Sequence, residues 1–207
     1  MEDIFDTLGS VNWRVAANTY GSFHATIIGL FCQWWVSLDP KHHCVIESGP
    51  AFGHGTREHR CGSCDALFCQ DSNSVGILEV EASRVQLTIE KIGNFFGSQL
   101  DHLNTLKFAI LALYPYGPTG RGDRRVVPSV PDEQAQNAVI ELSRRYQGKT
   151  IIVVALNKVF DREVEGIRNR NDYYRCRLSN VRAFLYRNGR PPTPNQLWSC
   201  DLSPAGG

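Results

Sequence analysis

Two carboxylates two residues apart in an otherwise apolar run are costly unless something positive meets them, and Gly76-Ile77-Leu78-Glu79-Val80-Glu81 holds such a pair. Side chains alternate across a strand, so Ile77, Glu79 and Glu81 share one face and Leu78 and Val80 the other. Upstream lies Cys64-Asp65-Ala66-Leu67-Phe68, a second strand candidate, with the turn-rich Asp71-Ser72-Asn73-Ser74 between them. A hairpin folding about Ser72-Asn73 sets Asp65 level with Glu79 to Glu81. Three carboxylates then converge at one end of a two-stranded ribbon. That set suits Mg²⁺ or Mn²⁺, which prefer oxygen ligands and keep some waters. The plainer account makes the glutamates the exposed side of a half-buried strand and Asp65 a turn residue.

The elements that must position this set can be read on either side. Residues 20–38 are apolar nearly all round and predict a buried helix, ended by Asp39-Pro40 because the residue before proline leaves the helical region. Strands are predicted at Cys44–Glu47, Asp65–Cys69 and Val75–Glu81. Ser83 to Gln86 has the spacing of a capping box, and Val85, Ile89, Ile92 and Phe96 form the stripe of the helix behind it. A strand Leu106–Tyr114 ends at Pro115. A second amphipathic helix, Ser129 to Gly148, starts at Ser129 and Asp132 and presents Ala135, Val139, Leu142 and Tyr146. Thr150–Leu156 reads as a strand covered on both faces, and Val181–Tyr186 as one more strand. From Pro191 the tail, with four prolines, reads as extended or loosely ordered. This order predicts an α/β fold, a mixed central sheet flanked by helices. A single domain over 1–207 is the simplest organisation: a core at 20–114, a helix-strand addition at 129–156 and an Arg-rich extension at 161–190.

Asp on one strand, a turn and Glu-x-Glu on the next, set between a helix and strand on each side, resembles the PD-(D/E)xK, or restriction-endonuclease-like, nuclease superfamily. The resemblance covers about residues 20–114 and implies an αβββαβ core with a C-terminal extension. It implies Asp65 and Glu79 as ligands of Mg²⁺ or Mn²⁺, with Glu81 in the usual place of a water-activating lysine. In that family a further acid often comes from the first helix or first strand, and Glu47 fits the strand. The chain departs from the pattern in having no proline before Asp65 and Glu81 in place of lysine. Lys91, ten residues on in the following helix, is the candidate for the missing cation.

The charges, 22 basic against 21 acidic for a net of +1, exclude a polyanion-coating basic protein and an acidic tail, and 42% apolar residues exclude wholesale disorder. The longest apolar stretch, Phe23 to Leu38, is interrupted by His24, Thr26, Gln33 and Ser37 and is shorter than the roughly 20 residues of a spanning helix. The acidic N-terminus is unlike a signal peptide. The expectation is a cytoplasmic protein with no membrane partner. Seven cysteines, an odd and scattered set, do not predict a disulfide framework. Cys61 and Cys64 have half the spacing of a zinc site, with His54, His59 and Cys69 nearby, but there is no second such pair. Structural zinc is not expected, since Cys64 and Cys69 would face opposite sides of a strand.

Residues 161–190 hold eight arginines, among them Arg175, Arg177 and Arg182, against four acids, with Tyr173, Tyr174, Phe184 and Tyr186 interleaved. Arginine forks bind phosphate and aromatic rings stack on bases. Arg121, Arg124 and Arg125 form a smaller cluster in a Gly- and Pro-rich loop. The expected function is metal-dependent cleavage of nucleic acid, DNA in preference to RNA. A homodimer is an open option. The alternatives are a nuclease-fold binding protein that has lost catalysis and a zinc-stabilised nucleic-acid-binding module.

Overall fold

A computed structural model describes residues 7–11, 23–46, 63–82, 84–98, 103–114, 130–160, 178–187 and 195–201. After a short 3₁₀ turn at Thr7–Ser10, the order is α1 (Phe23–Leu38), β1 (His42–Ile46), β2 (Ala66–Gln70), β3 (Asn73–Glu81), α2 (Val85–Phe96), β4 (Phe108–Leu113), α3 (Asp132–Arg145), β5 (Thr150–Phe160), β6 (Leu178–Arg187) and β7 (Asn195–Asp201). The strands form one sheet whose spatial order follows chain order. β1, β2 and β3 are an antiparallel meander, β3, β4 and β5 run parallel through helical connections, and β5, β6 and β7 are antiparallel again. The expected mixed sheet flanked by helices is therefore present.

Alternation along the strands feeds two cores. On one face, Ile27, Phe31, Trp34 and Trp35 of α1 pack on Phe68, Leu78, Phe108, Ile110, Ile152 and Val154. On the other, Val85, Ile89, Ile92 and Phe95 of α2 and Ala135, Val139 and Leu142 of α3 pack on Leu67, Ile77, Leu111, Ile151 and Val153. β4 and the first half of β5 are buried on both faces, which is why their sequence carries no polar alternation. Gly76 is required where it stands, because the Phe108 ring lies where any side chain at 76 would go.

Several local expectations shift. The β2–β3 hairpin turns at Asp71-Ser72, not Ser72-Asn73: Gln70 pairs with Asn73, and Asp71 adopts φ 52°, a left-handed conformation that Asp tolerates. Ser83, the first residue of the expected capping box, lies outside the described residues. α2 starts after Arg84 with no side-chain cap, and α3 likewise starts after Pro131. Asp132 instead accepts a hydrogen bond from the Tyr186 hydroxyl at 2.5 Å. Phe95, not Phe96, is the fully buried end of the α2 stripe, while Phe96 leans on Tyr146 at 5.4 Å. α3 ends at Arg145, three residues before the expected stop at Gly148, which adopts φ 82° in the turn that leads to β5. The tail is not unstructured throughout, since 195–201 pairs with β6 as β7.

Candidate active site

The β2–β3 ladder ends with Ala66 opposite Leu78, so Asp65 falls one step beyond, beside Glu79 and Val80. Asp65 is a bend residue, not part of β2, and this releases its side chain from strand alternation. Its Oδ2 accepts the Val80 amide hydrogen at 2.6 Å and stands 3.6 Å from His24 Nε2 of α1. Burial opposes ionisation of Asp65, but His24 and the Val80 amide outweigh it and hold the carboxyl below its usual range. His24 rises in return, first through Asp65 and, more weakly, through the charge of Glu81.

Glu79 is turned the other way, under α2, and is 2% exposed. Its Oε2 meets Lys91 Nζ at 2.6 Å, while Oε1 is buried without a hydrogen-bond partner. Burial pushes its pKa up to about 8; Lys91 opposes that rise, and the charges of Asp65 and Glu81 add to it. Glu81, at the end of the strand, is held: Oε1 accepts from the Ala82 amide at 2.7 Å and Oε2 from the Thr88 hydroxyl at 3.3 Å. Thr88 is one turn before Lys91 on α2, so this contact fixes which face of the helix lies over Glu79. Lys91 also lowers Asp65, so one ammonium serves both acids.

The expected convergence of three carboxylates is looser than the hairpin symmetry implies. The acids sense one another's charge, but the Val80 amide, Lys91 and Thr88 each draw one of them in a different direction. Among the described residues no three His, Cys, Asp or Glu side chains gather closely enough to hold a metal ion as they stand. A divalent ion still suits the donors. Mg²⁺ commonly takes only one or two carboxylates and keeps its waters, and Glu79 Oε1 is a buried oxygen in want of a partner.

No family model, curated protein or solved structure matches the chain. The site therefore rests on its own geometry. Of the residues singled out in the sequence, Asp65, Glu79, Glu81 and Lys91 are brought together. Glu47, Arg121, Arg124, Arg125, Arg175 and Arg177 lie outside the described residues, as do His54, His59 and Cys61. Arg182 sits on β6 opposite Asn157 and Ser199, and its side chain is likewise outside them. Cys64 and Cys69 do not face opposite sides. Cys64 precedes β2 and does not follow its alternation, so both join the α2-side core as buried thiols outside any disulfide. Burial, then the charge of Glu79, raises the Cys64 thiol. No helix among the described residues is long and apolar enough to cross a membrane.

Sequence reasoning missed His24 and Thr88. The signal for His24 was an imidazole in the first turn of a helix that is otherwise almost wholly apolar.

Proposed function

We propose that the chain is a nuclease of restriction-endonuclease-like architecture that hydrolyses phosphodiester bonds with the help of Mg²⁺ or Mn²⁺, with DNA as the preferred substrate. The observation that carries this reading is the Lys91–Glu79 pair beside Asp65. The cation absent from the strand at Glu81 is supplied from the next helix. Asp65 and Glu79 would hold the ion. When bound, it polarises the scissile phosphate and lowers the pKa of a water. Lys91 orients the attacking water from the α2 side. Glu81 keeps α2 in register through Thr88. Hydrolysis joins the water oxygen to phosphorus and breaks one phosphorus–sugar-oxygen bond, the departing oxygen taking up the proton that water gives up. Glu79 keeps its proton up to about pH 8, so loading the ion releases it.

The test is cleavage of single- and double-stranded DNA and RNA with Mg²⁺ or Mn²⁺, alongside binding. Asp65→Ala removes an ion ligand and a charge that repels phosphate. Cleavage should collapse by about a hundredfold or more while affinity for nucleic acid holds or rises. Arg175→Ala or Arg177→Ala should weaken binding and flatten its salt dependence by about one counterion each. Binding without cleavage under any of these conditions would make the chain a nuclease-fold binding protein instead.

A further inference from the structure

The α1 side of the sheet carries a pair of thiols that the proposed chemistry does not use. Cys32 lies on α1 and Cys44 in the middle of β1, opposite Phe68, and both join the same apolar cluster. Only Asp39, Pro40 and Lys41 connect the helix to the strand, so a tight return brings together two cysteines twelve residues apart. Cys44 Sγ stands 3.8 Å from the Cys32 carbonyl oxygen, and its hydrogen also reaches the Cys32 sulfur. Neither thiol is in a disulfide; Cys32 is 9% exposed and Cys44 half-buried.

The contact makes the two thiols unequal. The bond from Cys44 holds the Cys32 thiol below its usual range, and burial opposes this more weakly. The same bond, then burial, raises Cys44, with smaller contributions from the charges of Cys32 and Cys69. A thiolate is the form that attacks peroxide, and a second thiol beside it resolves the sulfenic acid that results. Cys32 suits the first role and Cys44 the second. Once Cys32 is oxidised it carries no charge, so that part of what raises Cys44 is gone at the second step. β1 is first in the order of the sheet, with β2 on its inner side, and can follow a sulfur drawn to about 2 Å from its partner.

We propose that Cys32 and Cys44 are a peroxide-responsive pair, which hydrogen peroxide closes into a reversible disulfide that pins α1 to β1. The Cys32 thiolate attacks one peroxide oxygen, the O–O bond breaks, and the departing hydroxide takes up the proton that Cys32 gave, leaving as water. The Cys44 sulfur then attacks the sulfur of the Cys32 sulfenic acid. The S–O bond breaks, and the hydroxyl leaves with the Cys44 proton as a second water. One peroxide is reduced and two thiols are oxidised. The pair stands apart from the nuclease reading and does not depend on it.

The experiment treats the full, reduced, folded chain with graded hydrogen peroxide, blocks the remaining thiols and maps the products by peptide mass spectrometry. The expected product is a Cys32–Cys44 crosslink, lighter by two hydrogens and reopened by dithiothreitol. In Cys44→Ser, which alters a half-buried side chain and keeps a hydrogen-bond donor, the crosslink should be lost and Cys32 should be trapped by dimedone as sulfenic acid. The wild-type map needs no variant, so a variant that fails to fold leaves the test intact. The crosslinked chain should melt about 5 °C higher than the reduced one, because the bond closes a short loop in the unfolded chain. Disulfides among other cysteines with Cys32 and Cys44 still reduced, or Cys32 oxidised with Cys44 left as a thiol, overturn the proposal. A crosslink that leaves the melting temperature unchanged or lowers it also overturns it, since the pair would then have closed at the expense of the native packing.

Discussion

β3 turns Leu78 and Val80 toward α1 and Ile77, Glu79 and Glu81 toward α2, so one strand faces two different interiors. The α1 side is filled by rings: Trp35 stacks on His42 at 3.8 Å and meets Phe68 and Phe108 at 5.4 and 5.7 Å. Its polar atoms are answered, the Trp35 indole by the Cys69 carbonyl and His42 Nδ1 by the Trp35 carbonyl. The α2 side is aliphatic for most of its length and then admits Glu79 with one oxygen left over. A fold that satisfies its buried groups on one face and strands a carboxylate on the other carries its scaffold and its chemistry on separate surfaces.

That contrast is broken most directly from the ring side. Trp35→Ala removes a 1% exposed side chain, its stacking partner contact and the hydrogen bond to Cys69. It should cost about 3–5 kcal/mol in denaturant unfolding. A loss under about 1 kcal/mol would mean the ring-filled face is not the scaffold.

A smaller effect tests the α2 side. Lys91→Met leaves Glu79 buried beside Asp65 and Glu81 with no cation. At pH 9, where Glu79 is ionised in the wild type, the loss should reach about 3 kcal/mol. At pH 6 Glu79 carries a proton, the pair reduces to a charge-assisted hydrogen bond, and about half that cost remains. The sign for the wild type follows from the same residue. A carboxyl raised to about 8 in the folded chain binds its proton more tightly than in the unfolded one, so stability declines as pH rises from the unfolded value toward 8. His24, also raised, pushes in the same direction above its unfolded pKa. Melting temperature should therefore fall from pH 6 to 9, and Glu79→Gln should flatten the slope. A flat wild-type profile would mean that Glu79 is not held protonated by burial.

The difference between the faces also separates what could be read in the sequence from what could not. The Asp65–Glu79 proximity was legible because hairpin symmetry is a local rule: the turn is displaced by one residue, and the register shift between Phe68 and Cys69 then sets Asp65 beside Glu79. Lys91 was legible only as a candidate, since its meeting with Glu79 depends on how α2 rolls on the sheet. His24 was not legible. Its contact spans 41 residues and two faces, and it exists because Asp65 lies outside β2 and can turn toward α1. β7 was hidden behind Pro191, Pro192 and Pro194, breakers that stop short of the strand at Asn195. Among the described residues the first turn of α2 is tied to β3 through Thr88 and Glu81, a contact that no local spacing announces.

Thr88 gives the smallest and most selective test. Its hydroxyl lies 3.3 Å from Glu81 Oε2 and 3.2 Å from the Arg84 carbonyl, and the residue is 6% exposed. Thr88→Val keeps the volume and removes the donor, so unfolding should become easier by only about 1 kcal/mol. Lys91 is one turn further on, and a looser α2 no longer holds its ammonium over Glu79. If Glu81 acts as a strut, Thr88→Val should lower Mn²⁺-dependent cleavage by much more than its stability loss explains, and Thr88→Ser should restore it. If Glu81 itself activates water, freeing it from Thr88 should leave the rate unchanged or raise it.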